Sequence, residues 1–157
     1  VTGDEPLIGW LRTHGRNGET LVEATGPPYT WVGRMSVGTG LPTVIGWSTH
    51  ETQQRRGFAD TIDQRVAAVD GLYRVADDER AQRMLATYRP DYVVVGTVEH
   101  ALGDPAAIEG LSELPGLDPA FSAGDGVVYR VDLERIDREL AHLDATRVRA
   151  GSVGGSG

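Results

Sequence analysis

Two residue types are missing from the chain altogether. It has no cysteine, which removes thiolate catalysis, disulfides and Cys-ligated metal, although by itself this leaves the redox compartment open. It has no lysine either, and all 15 basic side chains are arginine. Without Lys the phosphate-loop pattern Gly-x-x-x-x-Gly-Lys cannot occur, so Gly33, Gly38 and Gly40 with Ser36 and Thr39 are no such loop. We attribute the Arg-for-Lys usage to coding bias, because the net charge of −8 is modest for a salt-adapted surface. The spaced glycines of a dinucleotide site and the Gly-x-Ser-x-Gly of a serine nucleophile are also missing. No cofactor and no metal is therefore expected. No run approaches the roughly 18–20 apolar residues that span a bilayer, and nothing resembles a signal peptide.

What is present is ordinary globular material: 157 residues, 39% hydrophobic and 24% charged, enough for one domain with a buried core. An acidic surface repels phosphate backbones, so nucleic acid is not an expected partner. Asp4-Glu5-Pro6 opens a helix with Leu7, Ile8 and Leu11 on one side and Asp4 as its cap. Thr20–Ala24 and Thr43–Trp47 read as strands, and residues 29–40 as a short helix or an ordered loop. Phe58, Ile62, Val66 and Val69 keep the spacing of an amphipathic helix, and residues 77–88 give another.

Tyr92-Val93-Val94-Val95 is nearly all apolar, as a central strand covered on both faces would be. A short helix over 105–113, a fourth strand over Gly126–Val131 and a charged helix from Asp132 to about Arg149 complete the pattern. Alternating helix and strand predicts a single α/β domain over 1–149, with a mostly parallel sheet of about four strands flanked by helices. Residues 150–157 read as a flexible linker or tail. The start at Val1 without Met suggests an excised domain.

The densest polar stretch runs from Trp47 to Arg56, past the expected carboxyl end of the second strand, where open α/β sheets place ligands. His50 beside Glu51 is suited to acid–base work, with Arg55 or Arg56 clamping an anion. The bland alternative carries more weight: Ser48-x-x-Glu51 is a capping-box pattern, and His50 and the arginines are then a solvated face. Glu99-His100 follows the third strand in the same relative place. In a parallel sheet Glu23, His50-Glu51 and Glu99-His100 would meet on one rim, resembling a metal or acid–base site; a helix-capping role for Glu99 is at least as well supported. Tyr29, Trp31 and Trp47 suit stacking on a sugar ring, and core packing explains them equally well.

Several segments, in order, resemble the soluble C-terminal part of the archaeal and chloroflexal "YYY" family of large multi-pass membrane proteins, itself similar to the GT-C glycosyltransferases. The matching pieces are Trp10-Leu11-Arg12, Val22-Glu23-Ala24, Thr39 to Trp47, His50-Glu51-Thr52-Gln53-Gln54-Arg55, Tyr92 to Gly96 and Tyr129-Arg130-Val131. Gln54 stands where the pattern prefers Trp. The resemblance implies a membrane-tethered domain on the extracytoplasmic face, whose sugar-transfer carboxylate lies outside this chain. No residue here would then be catalytic. Glu23, Tyr29, His50, Glu51, Gln53 and Arg55 would line a site for a glycan acceptor or lipid-linked sugar, with the transmembrane portion of the parent chain as partner. Two competitors stay open. One is an autonomous hydrolase or transferase using His50-Glu51 with Glu23 or Glu99; the other is an interaction domain with an exposed apolar patch.

Overall fold

The computed structural model describes residues 3–26, 31–45 and 59–153. Helix α1 (Glu5–His14) leads into strand β1 (Leu21–Val22) and helix α2 (Arg34–Thr39). Helices α3 (Ala59–Arg74) and α4 (Asp78–Tyr88) precede β2 (Tyr92–Val95), which is followed by α5 (Thr97–Leu102) and α6 (Pro105–Glu113). Strands β3 (Leu117–Ala123) and β4 (Gly126–Val131) then form a hairpin, and α7 (Leu133–Val153) closes the fold.

The sheet order is β1-β2-β4-β3. Among the described strands only β1 and β2 pair in parallel; β4 is antiparallel to both of its neighbours. The expectation of a mostly parallel sheet is therefore corrected to a mixed one. The cause is local: Gly124-Asp125 is too short a link for a crossover, so β3 and β4 must reverse direction. The second expected strand shrinks to a single parallel bridge from Thr43 to Leu21, and Gly46-Trp47 lies outside the described residues.

Helices cover both faces. Tyr92 and Val94 point toward α1 and α2, packing with Leu7, Leu11, Leu21, Met35 and Val128. Val93 and Val95 point the other way, into a larger core with Val69 and Leu72 of α3, Leu85 of α4, Leu111 of α6 and Ile136 of α7. β2 is thus the covered central strand that its apolar run suggested. Gly33 and Gly40, at φ +81° and +78°, bracket α2 in the left-handed region that glycine adopts without strain.

Three chain segments end on one rim. β1 runs into Glu23, β2 runs into Gly96, and the Thr43 segment reaches Ile45 two residues past its bridge, level with Glu23. At the far end, α7 continues past Arg149, where the charge pattern ended it, to Val153. From Ala141 to Ser152 it is exposed, and ion pairs join it to α4: Asp144 to Arg83 at 2.6 Å, and Arg147 to Glu79 at 2.5 Å.

Candidate functional site

The carboxyl ends of β1 and β2 hold a buried charge cluster: Asp4, Glu23, Arg34 and Glu99, all nearly inaccessible to water. Each arrives from a different element. Asp4 precedes α1, Glu23 follows β1, Arg34 opens α2, and Glu99 lies in the first turn of α5. The Arg34 guanidinium is the hub. Its Nε bonds Asp4, and its Nη2 donates to Glu99 Oε2 at 2.6 Å. Its Nη1 donates to Glu99 Oε1 at 3.3 Å and stands 3.6 Å from Glu23 Oε2.

Backbone amides complete the carboxylates. Met35 and Ser36 N–H both donate to Glu23 at 2.9 Å, joining the end of β1 to the start of α2. Glu99 accepts from Ala24 N–H at 2.8 Å and, reaching back to cap its own helix, from Gly96 N–H at 2.9 Å. Asp4 makes no side-chain cap to α1, contrary to expectation. Its carboxylate instead accepts from Thr97 N–H at 2.9 Å, because the buried Arg34 draws it across to the start of α5.

Gly96 is what lets these groups meet. A Cβ there would come within 2.5 Å of Asp4 Oδ1 and 2.8 Å of Arg34 Nη2. Beneath the cluster, the Tyr73 hydroxyl sits 3.0 Å from the Val22 carbonyl and 2.8 Å from that of Val94, linking the two parallel strands where they end. Burial, together with the nearby Glu99 and Glu23 charges, holds the Tyr73 phenol well above its ordinary value.

Three carboxylates surround one guanidinium, and Asp4 and Glu23 are shifted in opposite directions. Burial alone would raise Asp4, but the Thr97 bonds and Arg34 outweigh it and hold the carboxyl below its usual range. For Glu23 burial wins: with the repulsion of Glu99 added, it exceeds the Ser36 and Met35 amides and Arg34, and the carboxyl is raised. Burial also works against the Arg34 charge, yet bonding to Glu99 and Asp4 prevails and keeps it protonated.

Beside the cluster a cleft of about 240 Å³ opens between Asp4, Gly96-Thr97, His100 and residues 123–126. His100 Nε2 lies 2.9 Å from the Asp125 carbonyl. A carbonyl only accepts, so Nε2 is the donor in this contact.

Glu23 and Glu99 do converge, as a shared rim required, and Glu99 caps its helix as well. The centre they share is taken by a guanidinium, which occupies the place a cation would need. No group of three or more His, Asp or Glu suited to a metal occurs among the described residues. Glu23 faces inward, and its carboxylate accepts from the Met35 and Ser36 amides. Tyr29, His50, Glu51, Gln53 and Arg55 lie outside the described residues. Sequence reasoning missed Asp4, Arg34 and Tyr73. The available signal was thin: an Arg directly after Gly33, in a segment short of other charges. No known protein family, curated protein or solved structure matches the chain.

Proposed function

We propose that this domain is an extracytoplasmic, non-catalytic part of a multi-pass membrane glycosyltransferase, helping to shape the site for a glycan acceptor or a lipid-linked sugar. The observation that carries the reading is the internally saturated Asp4–Glu23–Arg34–Glu99 cluster at the carboxyl ends of β1 and β2. Every charge in it is spent on another group of the domain, which suits a rigid platform and leaves no free general acid or nucleophile there. In sequence, Tyr29 follows Gly26, and His50, Glu51, Gln53 and Arg55 follow Ile45. Hydroxyl-rich, anionic ligands suit that residue set: Arg55 for a phosphate, His50, Glu51 and Gln53 for sugar hydroxyls, Tyr29 for a ring face.

Docking on the membrane portion of the parent chain is supported by Trp31 and Val37, next to and on α2, which are 65% and 77% exposed. No helix among the described residues is long and apolar enough to cross a membrane, so tethering would come from the parent chain.

The test uses the full-length parent. His50→Ala and Arg55→Ala should lower glycan transfer while the domain keeps its fold by circular dichroism. Unchanged transfer at normal protein levels would remove those residues from the site, and turnover by the isolated domain would replace the proposal with an autonomous enzyme.

A further inference from the structure

We infer that a hollow at the amino ends of β1 and β2 binds a small oxyanion group, a carboxylate or a phosphate monoester, through Arg65. The hollow, about 180 Å³, is lined by Thr20, Thr43, Val44, Arg65 and Tyr88. Thr20 immediately precedes β1, and its carbonyl accepts from the Asp91 and Tyr92 amides before β2, so the hollow lies opposite the charge cluster.

Arg65 differs from the ion-paired arginines of the fold. Arg34, Arg83, Arg89, Arg130 and Arg147 each stand within 3.2 Å of a carboxylate. Arg65 has no acidic partner among the described residues, in a chain of net charge −8. Its one bond among the described residues is long, from Nη1 to the Val44 carbonyl at 3.4 Å. Its Nε is buried and donates to nothing among the described residues. Buried donors are nearly always satisfied in folded proteins, so an orphaned one beside a hollow is an incomplete arrangement.

The other polar groups there are donors in waiting. The hydroxyls of Thr20 and Tyr88 have no hydrogen-bond partner among the described residues, while that of Thr43 donates to the Ile45 carbonyl at 3.3 Å. The Asp91 carboxylate is committed to Thr20 N–H at 2.8 Å. A planar guanidinium whose Nε and Nη2 make no bond among the described residues, with two hydroxyl donors beside it, matches the several acceptor oxygens of a carboxylate or phosphate. This inference stands independently of the acceptor-site proposal, which concerns the other end of the sheet.

An NMR titration of the ¹⁵N-labelled chain tests it, with inorganic phosphate and, separately, acetate as probes at constant ionic strength. Saturable shifts are expected at the Thr20 and Thr43 amides and at the Arg65 Nε–H signal. Arg65→Gln should weaken binding by at least about tenfold, as loss of a charge-assisted bidentate contact implies. Tyr88→Phe and Thr20→Val should each weaken it a few-fold, and they keep the question answerable if Arg65→Gln perturbs the fold. Saturation by either probe or both supports the site and identifies which oxyanion fits. Failure of both to saturate, or shifts that survive in Arg65→Gln, would overturn it.

Discussion

Replacing Arg34 by Met removes the one cation from a buried set of three carboxylates while keeping most of the side-chain volume. Two charged contacts are lost outright, to Asp4 and Glu99, each contributing about 1.5–3 kcal/mol. The attraction to Glu23 at 3.6 Å is lost with them. Part of the damage is limited because the carboxylates keep their amide donors from Thr97, Ala24, Gly96, Met35 and Ser36. The net cost expected at neutral pH is about 3–5 kcal/mol, the range seen when one partner of a buried ion pair is removed. Against a typical domain stability of about 5–15 kcal/mol, that is a large fraction.

The pH dependence separates this account from simple loss of packing. In the native chain the lowered Asp4 carboxyl adds stability above its unfolded value, which is lost as pH falls through the folded one. The raised Glu23 carboxyl does the reverse: its contribution is present at low pH and is lost as pH rises through its folded value. Without Arg34, Asp4 loses the cation that holds it down and burial pushes it up as it does Glu23, so the deficit should be greatest near neutral pH and shrink toward about pH 5. Urea unfolding followed by tryptophan fluorescence, at about pH 7.5 and about pH 5, measures it. A deficit under about 1 kcal/mol, or one that grows on acidification, would refute the reasoning.

Gly96→Ala should cost about 1–3 kcal/mol, since its allowed φ of −138° leaves only the collision with Asp4 and Arg34 as penalty. Combined with Arg34→Met, its cost should be less than additive in urea melts, because one of the atoms it strikes is gone. Tyr73→Phe should lose about 1–2 kcal/mol by thermal or urea unfolding, as the hydroxyl between the Val22 and Val94 carbonyls disappears. Glu79→Ala should speed hydrogen exchange in α7 from Asp144 onward and leave the core amides unchanged, because Glu79 holds Arg147 and Arg83 at the surface. Equal protection in both proteins would mean that the projecting end of α7 is held by something else.

The parts of the fold that were legible in the sequence are those with strong periodicity. The apolar spacing of Ile62 and Val69, and of Ala81, Met84 and Leu85, places α3 and α4 against the sheet, and the Tyr92–Val95 run is the central strand. The failures have physical causes. β3 was unread because its pattern is mostly exposed and contains Pro119, a residue that only an edge strand tolerates; it is an edge strand, with a bulge between Pro119 and Phe121. Once β3 is present, the short Gly124-Asp125 turn forces an antiparallel pair, and β4 carries that direction into the centre of the sheet. The same small error therefore turned a mixed sheet into a parallel one.

The cluster was harder to see than the fold, because its members are separated by up to 95 positions between Asp4 and Glu99 and no local pattern links them. Each has a plausible local role that hides the tertiary one: Asp4 reads as a cap for α1, Glu99 as a cap for α5, Glu23 as a strand-end acid. Only Glu99 performs its local role, and it does so with an oxygen that also binds Arg34. Asp4 gives up α1 for Thr97 and Arg34 because a buried guanidinium without a counter-charge costs far more than an unsatisfied helix end that water can reach. Arg34 itself is buried because Gly33 turns the chain at positive φ just before it and Gly96 offers no side chain to block it. Those two glycines, one setting a turn and one clearing a space, are what converts four ordinary charged residues into a single rigid junction between α1, β1, α2 and α5.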